Sequence, residues 1–195
     1  FVYRRYLDFS AIEALRAMKR LIQQEVRRKD MDDNIKLGSG GIREVEFIAQ
    51  AFQLIHGGRD LSLQQRPLLA TLDTLAAQDY LPSTDAAELK SAYRFLRYTE
   101  HALQAVNDLQ TQSLPDTPLE QARIAFIMGF NDWQAFLAQL KYWRQRVEHH
   151  FRAVIADPDT DEDDCIGAEW LPVWKDTISQ VSVLQQLTEA GYTDS

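Results

Sequence analysis

Apolar residues recur every three to four positions along most of this chain, a spacing that predicts helices rather than strands. Ser10-Ala11-Ile12-Glu13 has capping-box form, and Ile12, Leu15, Met18, Ile22 and Val26 follow at helical intervals, which places a first helix over about 10–29. Its other face carries Arg16, Arg20, Arg27 and Arg28. Asn34-Ile35-Lys36-Leu37 is too short and too closely bounded for a helix and reads as a short strand or an extended lead-in. Gly38-Ser39-Gly40-Gly41 comes next, and the helical pattern resumes at Ile42 through Val45, Ile48, Phe52 and Ile55 until Gly57-Gly58 stops it.

Pro67 suits the first turn of a helix over about 66–78. Asp85-Ala86-Ala87-Glu88 resembles a capping box that opens a long helix ending near Asn107, with Leu89, Tyr93, Leu96, Leu103 and Val106 on its apolar side. Thr117-Pro118-Leu119-Glu120 supplies a cap, a first-turn proline and a third-position glutamate, and Gly129 ends that helix. Asn131 is expected to cap the next, which runs to about Ile155. Its aromatic stripe of Trp133, Phe136, Trp143 and Phe151 reads as core. Six acids within 157–164 read as a solvated linker, and Glu169 to Leu187 as one more amphipathic helix.

The fold class that results is all-α: a bundle of about six or seven helices, with a short extended segment and a glycine loop near the start. The expected divisions are a basic first helix (1–33), the glycine motif and its helix (34–60), a helical bundle (61–156), an acidic linker (157–167), and a further helix with a tail (168–195).

Composition changes this picture only in places. The 195 residues suffice to bury roughly 70% of the unfolded surface, so the core needs neither disulfide nor metal. The formal charge of -8 disfavours a nucleic-acid binder that works through a global positive field. That total hides a split: residues 1–66 hold 12 Lys/Arg against 9 Asp/Glu, and the remainder holds 9 against 20. A single cysteine, Cys165, excludes an internal disulfide, and no run approaches the ~18 apolar residues of a membrane span. A cytoplasmic setting without membrane contact is expected. The chain opens at Phe1 and closes in a polar tail, which reads as a piece of a longer protein.

Candidate chemistry is densest over 34–47. A glycine loop that opens a helix presents backbone N–H groups and the positive helix end, a combination suited to phosphate. Lys36 and Arg43 bracket the loop and would neutralise phosphate charge, and Glu44 and Glu46 in the first helical turn would offer carboxylate oxygens to Mg²⁺. The competing reading makes the glycines a tight turn, the acids partners of the helix dipole and the bases solvated.

The segment is neither a P-loop nor a strand-linked dinucleotide fingerprint. Gly38-Ser39 with Glu44-Val45-Glu46 superficially matches the Gly-Ser and Asp-x-Asp of polymerase-beta-like nucleotidyltransferases, but the gap is too short for the strand and helix those motifs occupy. His56, His101, His149 and His150 lack metal-ligand spacing.

Three segments resemble one family: Phe1-Val-Tyr-Arg-Arg-Tyr-Leu-Asp-Phe9, Asn34-Ile-Lys-Leu-Gly-Ser-Gly-Gly-Ile-Arg-Glu-Val-Glu-Phe-Ile-Ala-Gln50 and Asp108-Leu-Gln-Thr-Gln-Ser-Leu-Pro115. Their form and order look like the bifunctional glutamine synthetase adenylyltransferase/adenylyl-removing enzymes. That family has two nucleotidyltransferase domains, each followed by a helical domain. One half removes AMP from the modified synthetase by phosphorolysis, releasing ADP, and the other adds AMP from ATP. The Arg-Glu-Val-Glu-Phe form resembles the N-terminal, removing half. A related Asn-x-Lys-x-Gly-x-Gly-Gly-x-Arg-Asp segment belongs to the uridylyltransferase of the PII signal protein.

The resemblance implies that Lys36, Gly38, Gly40, Gly41, Arg43 and Glu44 close one side of a nucleotidyl-transfer site, with Glu46 shared by the adenylyltransferases alone. Glu44, Glu46, Lys36 and Arg43 are then the catalytic candidates, Gly38, Gly40 and Gly41 the nucleotide-binding ones, and Glu44 the candidate metal ligand. Mg²⁺, ATP or ADP and phosphate are the implied cofactors and substrates; glutamine synthetase and the PII protein are the implied partners. The family's catalytic Gly-Ser and Asp-x-Asp are absent here and would precede Phe1, so these residues alone are expected to be inactive. The alternative is a non-catalytic helical module that positions glutamine synthetase or the PII protein.

Overall fold

A computed structural model describes residues 33–107 and 111–154, with Ala17 besides. The chain divides into two units, Phe1–Ile155 and Ala156–Ser195, and all described residues belong to the first. The helices expected over 10–29 and 169–187, the segment Phe1–Phe9, the acidic linker, Cys165 and the start of the 108–115 loop lie outside the described residues.

Five α-helices make up the described part: α1 (Ile42–His56), α2 (Leu68–Ala77), α3 (Ser83–Asn107), α4 (Pro118–Ile127) and α5 (Trp133–Val154). A 3-10 turn at Leu61–Leu63 joins α1 to α2. The all-α expectation holds. Asn34 forms an isolated antiparallel bridge with Ser113 rather than a strand, bonded through Ile35 N–H to Gln112 O at 2.8 Å and Leu114 N–H to Asp33 O at 3.1 Å.

One contiguous core runs through all five helices. Ile42, Val45 and Ile48 from α1 meet Leu72 and Leu75 from α2, Leu89 and Leu96 from α3, Ile124 from α4, and Phe136 and Val147 from α5. Phe136 is fully buried, with Trp133 stacked on it at 5.0 Å and Phe95 at 6.1 Å between ring centroids. The aromatic stripe is therefore core, with Trp133 and Trp143 only partly covered.

The helix ends explain where the sequence pattern misleads. Thr117 caps α4 as expected, its hydroxyl accepting the Glu120 N–H. Gly129 closes α4 at φ +78° while Phe130 N–H reaches back to Ala125 O at 2.8 Å, a Schellman-type end. The cap of α5 is Asp132, whose Oδ1 accepts the Ala135 N–H at 2.8 Å, and not Asn131. Two adjacent Asx residues are equally good caps by sequence, and the second one wins the register.

The helix α3 begins two residues before Asp85, with the Asp85 and Ala86 N–H groups bonded to Pro82 O. The apparent capping box is not one: Glu88 turns across to α5, where it meets Arg146 and His150. Pro67 sits at the N-cap of α2 rather than within its first turn.

Candidate functional site

The glycine loop packs against three elements. Asn34 starts it, and its Oδ1 accepts the N–H groups of Lys36 (3.0 Å) and Leu37 (2.8 Å) as an Asx turn. The chain then folds back over its own helix. Ile42 N–H donates to Ile35 O at 3.2 Å, Arg43 N–H to Lys36 O at 3.1 Å, and Glu44 N–H to Gly41 O at 3.1 Å. These are the orphan donors of a helix start, and here loop carbonyls satisfy them.

That closure dictates the glycines. A Cβ on Gly41 would lie 2.7 Å from Gly38 O and 2.8 Å from both Ile35 O and Lys36 O. Gly40 combines φ +68° with a backbone approach to α5 so close that a Cβ would stand 2.2 Å from Arg144 O. Arg144 completes the contact by donating from Nε to Ser39 O at 2.7 Å. Gly40 N–H donates to Glu44 Oε2 at 2.9 Å, Gly38 N–H to Asn34 O and Gly41 N–H to Gly38 O.

Nearly all amides of the loop thus have partners within the chain. A phosphate at this loop would therefore meet mainly side chains. The tight-turn reading of the glycines is the one their contacts support.

The structure brings Arg43, Glu44 and Glu46 together. With Leu37, Phe47, Gln50 and Phe151 they line a cavity of about 260 Å³ on one side of α1. Glu44 is buried with its Oε2 committed to the loop, Glu46 is half-buried and Arg43 is exposed. Two carboxylates and one amide are too few to enclose a cation alone. A Mg²⁺ held there would need waters and substrate phosphates to complete its shell.

Lys36 lies apart from that lining and points to α3. Its Nζ is 3.7 Å from Glu100 Oε1, and the other carboxylate oxygen of Glu100 pairs with Arg97 on the same helix. Glu100 is 2% exposed, so its charge must be compensated where it sits. Arg97 Nη2 also lies 3.4 Å from His101 Nε2. Tyr93, one turn before Arg97, has a phenol pushed up by burial; Arg97 opposes that shift, and the charges of Glu46 and Glu100 add to it.

Tyr93, Arg97 and Glu100 were not legible as site residues in the sequence. They fall at i, i+4 and i+7 on one face of α3, yet only the fold shows that this face meets the loop. A polar interruption in that otherwise apolar face was the available signal.

Comparisons with known proteins place the chain in a family. The family model described as GlnD PII-uridylyltransferase matches residues 16–155. A protein of Pseudomonas syringae pv. tomato named bifunctional glutamine synthetase adenylyltransferase/adenylyl-removing enzyme is 64% identical over 100% of this chain and 21% of its own length. Proteins of the same name from Pseudomonas putida (64% identical) and Nitrosococcus oceani (50%) each align with 98% of the chain and 20% of their own. The chain thus spans about a fifth of the length of the curated relatives it matches. It is similar along nearly all its residues to bifunctional adenylyltransferases, and through the family model covering most of its length it belongs to the GlnD PII-uridylyltransferase family.

Proposed function

We propose that this chain is the helical part of the adenylyl-removing half of a bifunctional adenylyltransferase, and that its glycine loop closes one side of the site where glutamine synthetase-AMP is phosphorolysed to give ADP. The observation that carries the reading is the convergence of Arg43, Glu44 and Glu46 on one cavity beside a loop bolted to α5. Such rigidity holds charged groups in place without reorganisation as phosphate moves, the condition under which electrostatic stabilisation is largest.

In this reading Lys36 and Arg43 carry the positive charge that meets phosphate. Arg43 is the exposed member and presents a planar fork of donors. Glu44 keeps the loop closed through Gly40 N–H, and Glu46 offers its carboxylate at the cavity. Mg²⁺, if held by Glu46 and Glu44, would screen phosphoryl charge during in-line attack. In this reading the remaining metal-binding carboxylates and the nucleotide pocket would come from another part of the longer protein. Glutamine synthetase is the substrate and the PII protein the regulatory partner, both in the cytoplasm. The 195-residue chain alone is expected to be inactive.

The test is made in a full-length relative, at the positions aligned with Lys36 and Glu44. Lys36→Ala and Glu44→Gln are each expected to slow phosphorolytic deadenylylation by ~10²-fold or more, while adenylylation by the other half persists. Unchanged deadenylylation in both variants would replace this reading with the module that only positions its partners. The exposed apolar residues Leu119, Phe126 and Ile127 on α4 are the feature that favours that second reading.

A further inference from the structure

We infer that Arg97 is a second phosphate-binding residue, and that buried Glu100 is the positioning residue that holds Arg97 and Lys36 together as one anion-binding pair. This deepens the proposed function and rests on its assignment of Lys36 to phosphate.

Glu100 is a desolvated anion in the middle of a helical bundle, and such a group persists only when paired. Its partners come from different places: Arg97 lies one turn back on α3, whereas Lys36 arrives from the glycine loop. Each takes a different oxygen of the same carboxylate. Two cations that would repel one another therefore share one carboxylate.

Both remain reachable. The Lys36 and Arg97 side chains are 31% and 37% exposed, against 3% for that of Glu100. An ammonium has three donors and a guanidinium five, so one carboxylate cannot use them all. The remaining donors of two fixed cations suit a tetrahedral dianion, and Arg adds the two-point geometry that Lys lacks. His101 Nε2 lies 3.4 Å from Arg97 Nη2.

The decisive feature of the test is the sign of one effect. If Glu100 contributed only its charge, Glu100→Gln would remove a repulsion and strengthen phosphate binding. If it positions the pair, Glu100→Gln releases both cations and weakens binding. The probe is inorganic phosphate titrated into the 195-residue chain, with the Lys36 Nζ and Arg97 Nε resonances followed by NMR and folding checked by circular dichroism.

Arg97→Gln and Lys36→Gln are each expected to weaken binding about tenfold, the loss of one charge-assisted hydrogen bond. Glu100→Gln should weaken it several-fold. The double variant should lose little more than either single one, because the pair acts as a unit. That non-additivity decides the matter even if Glu100→Gln does not fold.

Tighter phosphate binding in Glu100→Gln, full additivity, or an Arg97→Gln affinity equal to the unsubstituted chain's would each overturn the inference. Phosphate binding that depends on Arg97 and Glu100, alongside unimpaired deadenylylation in both Lys36→Ala and Glu44→Gln, would keep the inference and remove the catalytic reading. The reverse result would remove the inference alone.

Discussion

Two glycines with the same backbone sign separate conformation from packing. Gly129 has φ +78° and nothing within 4 Å of an added Cβ, whereas Gly40 has φ +68° and the Arg144 backbone at 2.2 Å. Gly129→Ala is expected to destabilise by about 1–2 kcal/mol, the left-handed strain alone. Gly40→Ala carries that strain plus a backbone clash that α5 cannot yield to easily, bringing it to about 2–4 kcal/mol. Urea denaturation of the two variants measures the difference, and equal losses would mean that the loop can move off α5. The glycine run was visible in the sequence as a special turn. Its reason was not, because the residue that forces Gly40 lies far along the chain on another helix.

Between elements, the joint of α3 and α5 is the most charged contact in the described core. His150 is 5% exposed, with Nε2 at 2.9 Å from Glu88 Oε2 and Nδ1 at 3.7 Å from Asp85 Oδ2. The Arg146 guanidinium also binds Glu88 and is the main cause holding that carboxyl below its ordinary range; burial opposes the shift, and His150 adds to it. A depressed carboxyl contributes stability that is complete above its unfolded value near 4.5 and fades as pH falls through the folded one.

His56 behaves in the same direction at higher pH. Stacked on Tyr80 at 4.1 Å, it is lowered chiefly by burial and then by Arg59, against Asp60. A lowered imidazole charges more readily when unfolded, so folding is favoured fully above pH ~6.5 and less as pH falls through the folded value. Thermal melts from pH 8 to 3 should therefore decline in two legs. Replacing His56 with Gln should flatten the first, and Glu88→Gln the second while lowering stability at neutral pH by about 1–3 kcal/mol. A pH profile unchanged in both would refute these assignments.

The same joint shows what sequence patterns hide. Glu88 reads locally as the last residue of a capping box, and a local reading has no access to Arg146 and His150 two helices away. Periodicity located every helix among the described residues, since burial of one face is a local signal. The choice between neighbouring caps and the use of interior charges depend on tertiary contacts that periodicity does not carry.

Across the whole molecule, the charge split loses its simplest meaning. Residues 33–66 hold Lys36, Arg43, Arg59 and Arg66 against Asp33, Glu44, Glu46 and Asp60, so the described part of the basic third is neutral. Among the described residues, then, the bundle sets where individual charges are held rather than supplying a net positive field. The helix α5 is the common strut. Its Arg144 binds the loop, Arg146 and His150 bind α3, Phe151 packs edge-on against Phe47 of α1 at 5.4 Å, and Phe136 fills the centre of the core.

Loop and core should then unfold as one cooperative unit, an arrangement hydrogen exchange can test. Phe136 is not among the residues lining the cavity at Arg43 and Glu46. Truncating it to Ala removes a fully buried ring and should destabilise by about 3–5 kcal/mol, a large share of the ~5–15 kcal/mol typical of a domain. The Ile42 and Arg43 amides, bonded to Ile35 O and Lys36 O, should exchange faster in Phe136→Ala by the same factor as amides in the middle of α3. If the loop amides exchange quickly in both proteins while α3 alone responds, the loop opens independently of the core. The site's geometry would then be set on binding rather than built in by the fold.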